Sequence, residues 1–149
     1  MFNRLISNYL ELLSKLSDLP PLILRLILAY GFYEPAMQKI SNINAVIEWF
    51  GNDLHYPFPA LNAYLAVATE TTGFVLLFLG LGVRFITIPL MVTMVVAITT
   101  VHWENGFSAA HNGFEIPFYY LFMLFTLLII GAGRMSLDYV IKTKFGKAA

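Results

Sequence analysis

The chain contains no cysteine. Disulfide exchange, thiolate–metal coordination and iron–sulfur ligation are therefore closed to it. It is also poor in charge: nine basic and nine acidic residues make up 12% of 149, where a soluble domain carries about 25%. The charges cancel to a formal net charge of zero, which removes the electrostatic basis for binding nucleic acid. The N-terminus lacks the unbroken apolar core of a secretory signal. There is no internal repeat and no low-complexity tract. Two polar connections, 41–59 and 103–114, hold no lysine or arginine at all.

What the sequence does have is apolar surface. Hydrophobic residues account for 58% of the chain and the mean hydropathy is +0.71. A chain of this length forms one domain, and this one belongs mostly in lipid. Crossing a bilayer takes about 20 apolar residues in a helix, and four stretches qualify: about 19–39, 60–79, 83–102 and 115–133. Pro20, Pro21, Pro59 and Pro117 stand near the starts of three of them, where a missing N–H costs little. "GLG" at 80–82 makes a tight turn between the second and third. Residues 1–18 space Phe2, Leu5, Ile6, Tyr9, Leu12, Leu13 and Leu16 along one helical face, as in an amphipathic helix lying in the interface. Ile43, Val46, Ile47 and Phe50 suggest a second, short amphipathic helix. The expected fold is all-α: a four-transmembrane-helix bundle over 19–138, preceded by the interfacial helix and followed by a basic tail, 139–149.

Basic residues give an orientation. Arg4, Lys15, Arg84, Arg134, Lys142, Lys144 and Lys147 all fall on one side of that topology. The positive-inside rule puts this side, with both termini, in the cytoplasm. Trp49, Tyr56, Trp103, Tyr119 and Tyr120 then form an aromatic belt at the outer interface. For a bacterial source the membrane is the inner one.

Polar residues inside the spans are the candidate functional groups. Arg25 lies about 9 Å from the cytoplasmic end of the first span and Glu70 about 13–14 Å from that of the second, at 1.5 Å per residue. These depths suggest an Arg25–Glu70 ion pair, serving either helix register or chemistry. Pro35 removes an N–H from the first span and frees the Gly31 carbonyl, so a bend with a free acceptor is expected beside Glu34. His102 closes the third span; facing the interior, it would relay protons or hydrogen-bond a ligand carbonyl. With Glu104, His111 and Glu115 it also makes a weak metal set, since imidazole and carboxylate suit Zn, Cu(II) or non-haem Fe. Their spacing fits no compact metal motif, and ordinary interfacial polar residues are the plainer reading.

The motifs "LILRLILAYGFYEPAMQKI", "WF", "ATETTGFVLLFLGLGVRF", "VH" and "GAGRMSLD", in this order, resemble the DoxX family. The version "YGFYEPAMQK" is similar to its HvfX-like branch. The resemblance implies a small four-helix inner-membrane protein. It implies association with quinone-linked or thiol-stress oxidoreductase complexes and, for the branch, with metal-binding peptides and copper stress. Arg25, Glu70 and His102 match recurrent polar positions of the family. Thr71 and Thr72 stand where many relatives have glycine.

Three readings follow. The first is a membrane subunit in redox or copper-linked defence, binding a quinone-like ligand at Arg25, Glu34, Glu70 and His102 or docking a redox or peptide-biosynthesis partner. It has no cysteine and no haem-ligand pair at matching depths, so electrons must come from that partner. The second is a proton, metal or small-solute transport component, for which four helices imply a homodimer. The third is a structural or assembly factor without chemistry. A metal ion is a weaker expectation than a quinone.

Overall fold

A computed structural model describes residues 2–146, with side chains from residue 4. Lys147 of the basic tail and the Phe2 side chain lie outside the described residues. Every regular element among these residues is helical: α1 (Phe2–Lys15), α2 (Leu19–Ser41), α3 (Ile43–Asn52), α4 (Pro59–Leu79), α5 (Val83–Ala97), α6 (Glu115–Ile130) and α7 (Leu137–Phe145). The last turn of α5 widens into a π-helix, Ile98–His102.

The four long helices pack as a bundle. α2 lies against α4, α5 against α6, and the α4–α5 and α2–α6 contacts close the ring. Leu28, Phe32, Leu77, Leu90, Leu124 and Leu127 fill its centre and are essentially inaccessible. The outside is as apolar as the inside: Tyr30, Phe78, Phe85 and Phe122 are exposed, Phe85 by 82%. Such an unbroken apolar exterior has no place in water and fits lipid. α4 and the 23-residue run Val83–Asn105 are long and apolar enough to cross a membrane, and α6 is apolar but shorter. α2 has the length, but Arg25, Glu34 and Lys39 dilute it. Pro35 lies inside α2, which runs on through it to Ser41. α1 exposes Leu5, Tyr9 and Leu12 on one face.

The end of the bundle that carries both termini is tied by polar contacts. Gly80 and Gly82 both adopt positive φ, +69° and +58°, a turn that residues with a Cβ resist. The Asp138 carboxylate accepts the N–H groups of Gly82 (2.7 Å) and Val83 (3.2 Å) and so caps α5 from a distant segment. Asp18 takes the Arg134 Nε at 2.6 Å and the Arg134 N–H at 3.1 Å.

Those hydrogen bonds from Arg134 hold the Asp18 carboxyl below its ordinary range. A lowered native value means that the contact's stabilisation is complete above the ordinary carboxylate titration. It is then lost as pH falls through the native value. The melting-temperature gap between wild type and Asp18→Ala should therefore be constant above about pH 5 and shrink below it. A gap that grows on acidification would contradict this contact.

Candidate functional site: a polar seam between two cavities

Two cavities lie toward the opposite end of the bundle. The inner one, about 260 Å³, is bounded by α2, α4, α5 and α6, with Gly31, Pro35, Met94 and Tyr120 in its wall. The outer one, about 750 Å³, lies under α3 and the following loop, where Trp49, Phe50, Leu54, Tyr56 and Pro57 roof it. Both are mostly apolar. Lys39, Glu70, Thr93, Ala97 and His102 line both, so the polar residues form the seam between the chambers.

Lys39 and Glu70 are an ion pair. The Lys39 ammonium donates to both Glu70 oxygens, at 2.9 and 2.7 Å, and the Glu70 residue is only 4% exposed. Two of the three ammonium donors are used there, which leaves one for a ligand. On His102, Nδ1 lies 2.7 Å from the Asn112 carbonyl. A carbonyl can only accept, so Nδ1 carries the proton and Nε2 of the neutral ring keeps a free lone pair. The imidazole stands on the π-helical turn. The Tyr56 hydroxyl donates to Thr100 Oγ1 at 2.7 Å and fastens the cavity roof to that same turn. The seam thus offers a cationic donor, a counter-charge and an imidazole acceptor within an apolar enclosure.

Arg25 does not meet Glu70. It is buried, 1% exposed, but its guanidinium donates to the Met135 carbonyl at 2.6 Å and reaches that of Leu77 at 3.5 Å. The reason is the direction of the side chains. A Cα–Cβ bond in a helix tilts toward the N-terminus. α2 and α4 are antiparallel, so Arg25 leans toward the termini end and Glu70 leans away from it. Lys39, two turns beyond Gly31, leans back onto Glu70. Depths within an arginine's reach of each other therefore did not make a pair.

The other sequence-derived candidates are scattered. Glu34 is exposed, takes a hydrogen bond from Gln38 (3.2 Å) and lines neither cavity. Glu104 and His111 are exposed in short turns. Glu115 accepts the Ala109 N–H at 2.9 Å. Among the described residues no three His, Asp or Glu side chains converge on one point, so His102, Glu104, His111 and Glu115 do not assemble as a metal set. Lys39 and Tyr120 are the residues that sequence reading missed. Lys39 stood at the edge of a span and Tyr120 was counted in the outer belt. The signal for Lys39 was its register with Gly31 and Pro35, at intervals of four on one helix face.

The DoxX family profile matches residues 21–103, from the start of α2 to just past His102. The chain belongs to the DoxX family. Proteins of this family are membrane-associated. An uncharacterized Haemophilus influenzae protein is 33% identical over 128 residues, covering 81% of this chain and 82% of that protein. A Bacillus subtilis protein, named provisionally as the oxidoreductase CatD, is 29% identical over 135 residues, covering 89% and 95%. No solved structure gives a significant match. The DoxX segment contains Lys39, Glu70 and His102, and so holds the polar seam; of the termini-end contacts it holds Arg25, Gly82 and Val83, while Asp18, Arg134, Met135 and Asp138 lie outside it.

Proposed function

We propose that this DoxX protein is a four-span bacterial inner-membrane subunit that binds a quinone-like ligand at the Lys39–Glu70–His102 seam, in a redox or copper-linked stress system. The observation that carries this reading is the seam itself: a largely buried Lys39–Glu70 ion pair and His102, all lining two adjoining, mostly apolar cavities. Mostly apolar walls with a few convergent polar groups are the usual make-up of a small-molecule site. Their chemistry suits a quinone/quinol head: the remaining Lys39 donor would meet a ring oxygen in either form, and His102 Nε2 would accept from a ring hydroxyl of the reduced form. The outer cavity gives room for an apolar tail. When bound, the quinone would supply two-electron redox chemistry. The protein's own residues would orient it and hold or accept protons beside it, and a partner protein would exchange the electrons. The oxidoreductase naming of the Bacillus relative agrees with this, and the HvfX-like segment 30–39 suggests copper stress as its setting.

In this reading both termini are cytoplasmic and the cavities open near the periplasmic face. Reporter fusions at residues 53 and 106 should report outside and a C-terminal fusion inside; the reverse pattern contradicts it. Binding is tested by titrating duroquinone into the detergent-solubilised full-length protein and reading tryptophan fluorescence, since Trp49 lines the outer cavity. Quenching should saturate, and duroquinol, the reduced form whose hydroxyl His102 Nε2 can accept, should displace duroquinone about tenfold less well from His102→Ala than from wild type, with the variant's melting temperature lowered by no more than a few degrees. Non-saturable quenching in the wild type contradicts the assignment.

A further inference from the structure

We infer that Tyr120, seated on the Gly31–Pro35 face of α2, is a second ligand-reading group, and that the inner cavity takes a single-ring head with oxygens at opposite ends, a dione or a diol. This rests on the reading of the seam as a ligand site and adds to it the far wall of the chamber.

The Tyr120 ring lies directly on the α2 backbone. A Cβ at residue 31 would collide with its hydroxyl and with the ring edge, so glycine at 31 is what admits it. The Phe32 ring, 5.8 Å away and tilted by 53°, holds the other side. So fixed, the Tyr120 hydroxyl lines the inner cavity and makes no hydrogen bond to another described residue. Pro35, also in the wall, brings no N–H to the Gly31 carbonyl. The Gly31–Tyr120 corner therefore presents a hydroxyl donor beside a backbone acceptor, both uncharged.

The geometry of the chamber sets the ligand class. Gly31 and Lys39 are eight residues apart on one face of α2, about 12 Å along the axis, and the Lys39 side chain leans back toward Glu70. The polar ends are thus an uncharged corner at Tyr120 and the charged seam. A six-membered ring with oxygens on opposite carbons presents one acceptor to each of these two ends. The volume agrees: a cavity of about 150 Å³ holds benzene, and the chamber is about 260 Å³, enough for a ring with its oxygens and small substituents. A head with one oxygen would be held at the charged seam alone.

Tyr120→Phe keeps the ring and its packing and removes only the hydroxyl. Two probes are titrated into wild type and variant by tryptophan fluorescence: duroquinone, with two opposed oxygens, and 2,3,5,6-tetramethylphenol, with one. The expected result is a loss of about tenfold in duroquinone affinity, with tetramethylphenol affinity within about twofold of wild type. Equal duroquinone affinity in both proteins overturns the role of Tyr120 and leaves the seam intact. Equal loss for both probes overturns it too, since that is lost packing rather than recognition. Failure of the wild type to bind duroquinone overturns the proposed function together with this inference.

Discussion

Replacing Lys39 by methionine should lower the stability of the bundle by about 3 kcal/mol, the low end of the cost of breaking a buried ion pair. The carboxylate of Glu70 sits in a wall where almost no water reaches it. Without the ammonium it must either stay charged with no partner or take up a proton, and both cost free energy. Glu70→Gln should cost less, because the Lys39 side chain is 21% exposed and its long stem can carry the charge outward. The double variant Lys39→Met/Glu70→Gln removes both charges and should recover most of the loss, as buried pairs exchanged for neutral groups often do. Thermal melts in mild detergent measure all three. Arg25→Glu/Glu70→Arg serves as the control. These residues lean to opposite ends of the bundle, so exchanging their charges should rescue nothing.

A second large effect is expected at Arg25. Arg25→Ala removes a buried side chain that joins α2 to the Leu77 carbonyl of α4 and to the Met135 carbonyl after α6. The void and the orphaned carbonyls should together cost about 3–5 kcal/mol, enough to remove most folded protein from a domain of ordinary stability. Arg25→Lys should rescue little, because a single ammonium cannot serve two divergent acceptors as the planar fork does. Gly80→Ala should fail for the complementary reason. Its Cβ would meet the Arg25 guanidinium, and φ of +69° is unfavourable for alanine. The yield of folded monomer by size exclusion after detergent extraction measures each. Wild-type yield from Arg25→Ala would mean that the tie between the segments is not made.

These two sites also mark what the sequence could and could not disclose. The helices were legible because a run of apolar residues bounded by prolines and glycines has few alternatives in lipid. α2, α4, α5 with its π-turn, and α6 begin and end within a few residues of the apolar runs. Partnering was less legible, because it depends on side-chain direction as well as depth. Arg25 and Glu70 lie within an arginine's reach in depth but diverge in direction, while Lys39 differs more in depth and converges. Glu34 was misjudged by helix phase. One residue is about 100° of rotation, so a glutamate next to Pro35 leaves the face on which Gly31, Pro35 and Lys39 line up. His111 and Glu115 depended on the path of the 103–114 loop. That loop closes through Phe114 N–H to Gly106 O (3.0 Å) and Glu115 N–H to Phe107 O (2.9 Å), contacts with no sequence signature. Tyr120 was hidden by its type, since tyrosine near a span end reads first as an interfacial anchor.

The most direct measurement is native mass spectrometry of the full-length protein, extracted from its membrane in mild detergent, beside the Lys39→Met/Glu70→Gln variant. That variant is expected to fold, so it isolates the seam from the scaffold. The predicted result is a wild-type species carrying one bound molecule of isoprenoid-quinone mass, and a variant that is bare. A wild type with nothing bound, or the same adduct at equal occupancy on both proteins, would contradict a ligand site at Lys39, Glu70 and His102.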